Sequence, residues 1–72
     1  MRYRVTYDIT TTHWQAFGRH ADVSAASPEH ARALVERAIY ADKEAILAAR
    51  HDESGTGFEV RIVGEPRRLV DL

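Results

Sequence analysis

The groups in this sequence best suited to engaging a partner are its arginines and aromatics. Arg2 and Arg4 alternate along one segment, Arg61 stands in another, and Arg19 lies close to Trp14 and Phe17. Guanidinium groups pair with phosphates and aromatic rings stack on bases, so this set on one surface is the pattern of a single-stranded nucleic-acid binder. Asp8, Asp22 and Glu59 share register with the arginines and cancel much of their charge, and no RNP-type aromatic motif accompanies them. The same residues also describe a solvated or self-associating face. A protein-binding surface is therefore the expectation, and nucleic-acid binding is the alternative.

Asp42 is the acid in an unusual place, within an otherwise apolar helical stripe. A carboxylate there is a helix cap, an ion-pair partner for Arg67 or Arg68, or a functional group, and the cap is the expected role. The histidines at 13, 20, 30 and 51 include no His-x-x-x-His or His-Glu-x-x-His pair, so their spacing specifies no metal centre. Ser54-Gly55-Thr56-Gly57 leads into a strand and lacks the Gly-Lys-Ser/Thr ending of a phosphate loop, and it reads as a turn. Ser24, Ser27 and Ser54 have no Gly-x-Ser-x-Gly setting. The expectation is a non-enzymatic chain without cofactor or metal. A third possibility is a small dimeric enzyme or ligand binder with its site between subunits.

These residues are positioned by elements that the periodicity reveals. Arg2 to Thr10 alternates strictly, with Tyr3, Val5, Tyr7 and Ile9 on one side, which predicts a strand with one buried face. A turn over Thr10 to His13 leads to a second strand, roughly Trp14 to Ala25, in which Gly18 marks a bulge able to shift the phase and bring Trp14 inward. Ser27, Pro28 and Glu29 announce a helix start: an N-cap, a first-turn proline and an acid against the positive end of the dipole. Ala31, Leu34, Val35, Ala38, Ile39, Ala45, Ile46 and Ala49 form its apolar stripe.

A straight helix from Pro28 to His51 would run about 36 Å, against about 30 Å for a nine-residue strand. Either it breaks near Ala41 with Asp42 capping a second segment, or its far half packs on another subunit. The break is the preferred expectation. The glycines after Glu53 end the helix, Phe58 to Val63 forms a last strand, and Gly64-Glu65-Pro66 stops it. Residues 65 to 72 form a tail that is less ordered or strand-like, in which Leu69, Val70 and Leu72 still need burial. The order ββαβ predicts an α+β domain spanning residues 1–72, with a three-stranded, mainly antiparallel sheet, the first strand central and the helix across one face.

Composition bounds the rest. A chain of 72 residues buries only about 60% of its unfolded surface. It has no cysteine for disulfides or thiolate sites, so association is the expected source of further stability. A net charge of -1 gives no global attraction to nucleic acid or anionic membrane. No apolar run reaches the length of a signal peptide core or a membrane span, and a cytosolic location is the default expectation.

The corner Val23-Ser24-Ala25-Ala26-Ser27-Pro28-Glu29-His30-Ala31 resembles the strand-to-helix junction of small uncharacterised ββαβ proteins from high-G+C bacteria and their phages. The resemblance rests on cap and core positions and implies a fold, with no functional residues carried over. The combined expectation is a homodimeric accessory or regulatory factor, phage or mobile-element encoded, that inhibits a host protein by binding it. Its candidate contacts are Arg2, Arg4, Trp14, Phe17, Arg19, Asp42 and Arg61.

Overall fold

A computed structural model describes residues 1–70. Leu72, expected to seek burial, lies outside them. Three strands, β1 (Arg2–Thr10), β2 (Gln15–Ser24) and β3 (Glu59–Leu69), form one antiparallel sheet in the order β2-β1-β3. Two helical segments, α1 (Pro28–Ala41) and α2 (Lys43–Ala49), precede β3. This is the expected α+β arrangement, with β1 central.

The alternation of β1 builds the core directly. Tyr3, Val5 and Ile9 are buried with Val60 of β3 and with Ala31, Val35 and Ile39 of α1. Ser27 caps α1 as its residue type demands, its Oγ accepting the His30 N–H at 3.1 Å. The His30 side chain reaches back past the cap: its Nδ1 accepts the N–H of Ala26, the residue before Ser27, at 3.1 Å, one position beyond the donor that a capping box would use. A backbone N–H can only donate, so this bond places the neutral ring's proton on Nε2.

The helix does break at Asp42, but the residue is not a cap. Its side chain makes no capping bond, while the backbone ladder passes through it, Asp42 N–H to Ala38 O and Ile46 N–H to Asp42 O, both at 3.1 Å. Backbone angles of φ -97°, ψ 10° take Asp42 out of helical geometry and separate the two segments, although the hydrogen bonds run on across it. The far half of the helix packs through Leu47, while Ala45 and Ala49 of the expected stripe are exposed. The loop after α2 folds back so closely that a Cβ added at Gly55 would lie 2.5 Å from Leu47 Cδ1, and Leu47 is buried beneath it.

The end of α2 also differs from expectation, because the stop precedes the glycines. His51 takes the left-handed conformation (φ 55°) and donates its N–H to Ala48 O, while the Asp52 N–H reaches Leu47 O at 3.0 Å. These two bonds form a Schellman motif with histidine where glycine is usual.

β3 continues through Gly64-Glu65-Pro66 to Leu69, so that triplet is a bulge and not a stop. Val63 pairs with Thr6 and Arg67 with Arg4, leaving the three residues between them opposite Val5 alone. Proline is tolerated because β3 lies at the sheet edge. Residues 65–69 of the expected tail are thereby strand. No helix among the described residues is long and apolar enough to cross a membrane.

Candidate protein-binding groove

The bulge at Gly18 sorts the candidate residues onto two faces. Tyr7 pairs with Arg19 but Ile9 with Ala16, so Phe17 and Gly18 together oppose Asp8. Gly18 adopts φ 65° and donates its N–H to Asp8 Oδ1 at 2.9 Å. Before the bulge Ala16 faces the core. After it, Arg19, Ala21 and Val23 face the helix side, opposite Tyr7, Val5 and Tyr3. Arg19 therefore leaves the open face where the arginine set placed it, and Trp14 does likewise, lying just ahead of β2 on the helix side.

The open face keeps Arg2, Arg4 and Arg61, joined by Arg67 opposite Arg4. Phe17 stands on it 64% exposed. Arg4 forms a bidentate pair with Asp22, Nε to Oδ1 at 2.9 Å and Nη2 to Oδ2 at 3.1 Å, and this contact holds the Asp22 carboxyl below its ordinary range. Arg61 sits opposite Asp8. Arg2, Arg4 and Arg67 thus crowd one end of the face, with Phe17 about 13 Å away along the strands, some four residues on. Of the candidate arginines only Arg61 shares a cross-strand row with Phe17, both opposite Asp8, while the Arg2, Arg4 and Arg67 cluster lies apart from the aromatic.

On the helix side the layers do not close. α1 leans toward β3: the Tyr40 hydroxyl accepts the Val60 N–H at 3.3 Å, its ring packs edge-on against Phe58 at 5.8 Å, and Arg32 approaches Glu65 at 3.8 Å. The lean uncovers the inner surface of β2. A groove of about 380 Å³ results, floored by Tyr7, Ala21 and Val23 and walled by Leu34, Ala38 and Ile46. Asp42 lies on its helical wall, while Trp14 and Arg50 occupy one end and Arg19 lines the strand side. The surface is predominantly apolar, with charges of both signs around it.

The Trp14 end is held by Asp52, a residue that no motif or spacing singles out. Trp14 Nε1 donates to Asp52 Oδ2 at 3.0 Å, and Asp52 Oδ1 accepts from Ser54 Oγ at 3.1 Å and from the Gly55 N–H at 3.2 Å. Arg50 stacks over the indole, 4.7 Å from its centroid. Burial works to raise the Asp52 carboxyl, but the Gly55, Ser54 and Trp14 donors, with His13 nearby, outweigh it and hold the group below its ordinary value. The cluster ties the β1–β2 turn to the loop after α2. Trp14 is thus part of the scaffold as well as the groove.

No cluster of three or more His, Cys, Asp or Glu side chains that could hold a metal occurs among the described residues. No protein family, curated protein or solved structure matches the chain.

Proposed function

We propose that this chain is a protein-binding accessory or inhibitory factor, and that the groove between β2 and the helices receives apolar side chains from a heterologous protein. The observation that carries this reading is the lean of α1 onto β3. A domain this small needs all the apolar burial available to it, yet it leaves Ala21, Val23, Leu34 and Ile46 incompletely buried beside an open channel. Apolar walls with charges of both signs around them suit a segment of protein chain, whose side chains fill the channel while its polar groups meet Arg19, Asp42 and Arg50. The separation of Arg2, Arg4 and Arg67 from Phe17, with Asp8, Asp22 and Glu59 interleaved, favours this reading over single-stranded nucleic acid.

Position-resolved photocrosslinking in cells tests it. A photoreactive residue at exposed Ala38, in the groove wall, is expected to capture a discrete protein partner, and one at Thr6 on the open face is not. Capture from Thr6 alone, or of nucleic acid, overturns the proposal.

A further inference from the structure

The two edges of the sheet are not equivalent. β3 carries the devices that prevent strand pairing: the bulge at Gly64-Glu65-Pro66, a proline without an N–H, and the Tyr40 hydroxyl covering the outward N–H of Val60. From Arg19 to Ser24, β2 has none of these. The Ala25 N–H bonds to Met1 O at 2.8 Å, which fixes the alternation: Arg19, Ala21 and Val23 spend their backbone groups on β1, and those of His20, Asp22 and Ser24 point away from the sheet.

We propose that a second copy of this chain pairs antiparallel along β2, about a two-fold axis between the Ala21 residues of the two copies. Outward backbone groups on both strands must meet, and a two-fold normal to the sheet keeps each face continuous, so only registers centred on a residue are allowed. Centring on Asp22 sets two carboxylates opposite each other, and centring on Arg19 faces two guanidinium groups. Centring on His20 sets Asp22 against Gly18, and centring on Val23 sets Asp22 against Ser24 and leaves His20 opposite Ala26, beyond the end of β2. Centring on Ala21 places His20 of each copy opposite Asp22 of the other, twice, and brings only methyl groups together at the axis.

The acceptors and donors for this are in place. His20 already uses Nδ1 with Thr6 Oγ1 at 3.2 Å, which leaves Nε2 for a partner. Asp22 accepts one bond from Arg4 on each oxygen and retains lone pairs on both. The pairing also lays the two grooves side by side, with Ala21 and Val23 of each copy flooring one trench between the two sets of helices. The dimer therefore adds to the groove reading without depending on it.

Sedimentation equilibrium of the isolated chain over the micromolar range tests the pairing, with no heterologous partner present. The wild type is expected to sediment as a concentration-dependent dimer, and His20→Lys, which keeps an N–H donor opposite Asp22, is expected to do the same. His20→Asp converts two attractive cross-strand pairs into two repulsive ones and should weaken association about tenfold. His20→Pro removes an N–H that no intrachain strand uses and should yield a monomer, with a thermal melt in dilute solution checking its fold. Independently of any variant, amide exchange at His20 and Asp22 of the wild type should slow as concentration rises. A wild type that stays monomeric throughout, His20→Pro that dimerises as tightly as wild type, or concentration-independent exchange at His20 and Asp22 overturns the proposal. These results leave the photocrosslinking from Ala38 to decide the groove on its own.

Discussion

Substituting Gly18 probes the bulge on which the arrangement of β2 depends. The residue sits at φ 65°, and a Cβ built there would find no atom within 4 Å. The cost of Gly18→Ala is therefore conformational and free of any packing clash. Placing an L-residue in the left-handed region costs about 1–2 kcal/mol, and the stiffer unfolded chain returns about 0.4–1 kcal/mol. The net loss is about 1 kcal/mol, and for a domain of this size that lowers the melting temperature by about 4–8 °C. Asn tolerates the left-handed region better than Ala, so Gly18→Asn should melt between Ala and the wild type. Thermal unfolding followed by circular dichroism reads all three proteins. Gly18→Ala melting at or above the wild type would refute the bulge, and with it the placement of Arg19, Ala21 and Val23 on the groove side.

Three other outcomes are expected. Replacing His51, which holds φ 55° in the Schellman motif, by Gly should stabilise the protein by about 1 kcal/mol, read by chemical denaturation. Because the Asp42 side chain caps nothing, Asp42→Ala should melt above Asp42→Ser by about 0.5 kcal/mol on helix propensity alone, whereas the reverse order would restore the cap. Asp52, with its carboxyl held low by the Gly55, Ser54 and Trp14 donors, contributes stability that is fully present above its unfolded pKa and lost as pH falls through the folded value. Asp52→Asn should therefore flatten the acid limb of a stability-against-pH curve relative to the wild type.

What could be read from the sequence was local. Ser27-Pro28-Glu29 carries its capping chemistry within one turn, and the period of Arg2 to Thr10 needs no distant information, so the corner and the central strand were legible. Gly64-Glu65-Pro66 misled because punctuating residues look the same in a bulge as at a strand end, and only pairing with β1 separates the two. The contact between Trp14 and Asp52 spans 38 residues and has no motif, so neither residue type nor spacing announces it. Histidine is not a residue that announces a helix stop, and only its left-handed backbone angle reveals His51 as one. The groove was the least legible feature of all. It comes from the lean of α1 toward β3, set by Tyr40 meeting Phe58 and Val60, and no period in the helix stripe encodes that direction.

Backbone amide shift mapping in two parallel titrations distinguishes a partner held in the groove from one held on the open sheet face. One titration uses the protein recovered by crosslinking from Ala38 and the other a single-stranded oligonucleotide. The protein partner is expected to shift Ala21, Val23, Ala38 and Ile46, with Trp14 at the groove end, and to leave Thr6 and Arg61 in place, while the oligonucleotide shifts neither set. Saturable shifts confined to Arg2, Arg4, Arg61 and Arg67 with the oligonucleotide, and an unmoved groove with the protein, would contradict binding in the groove.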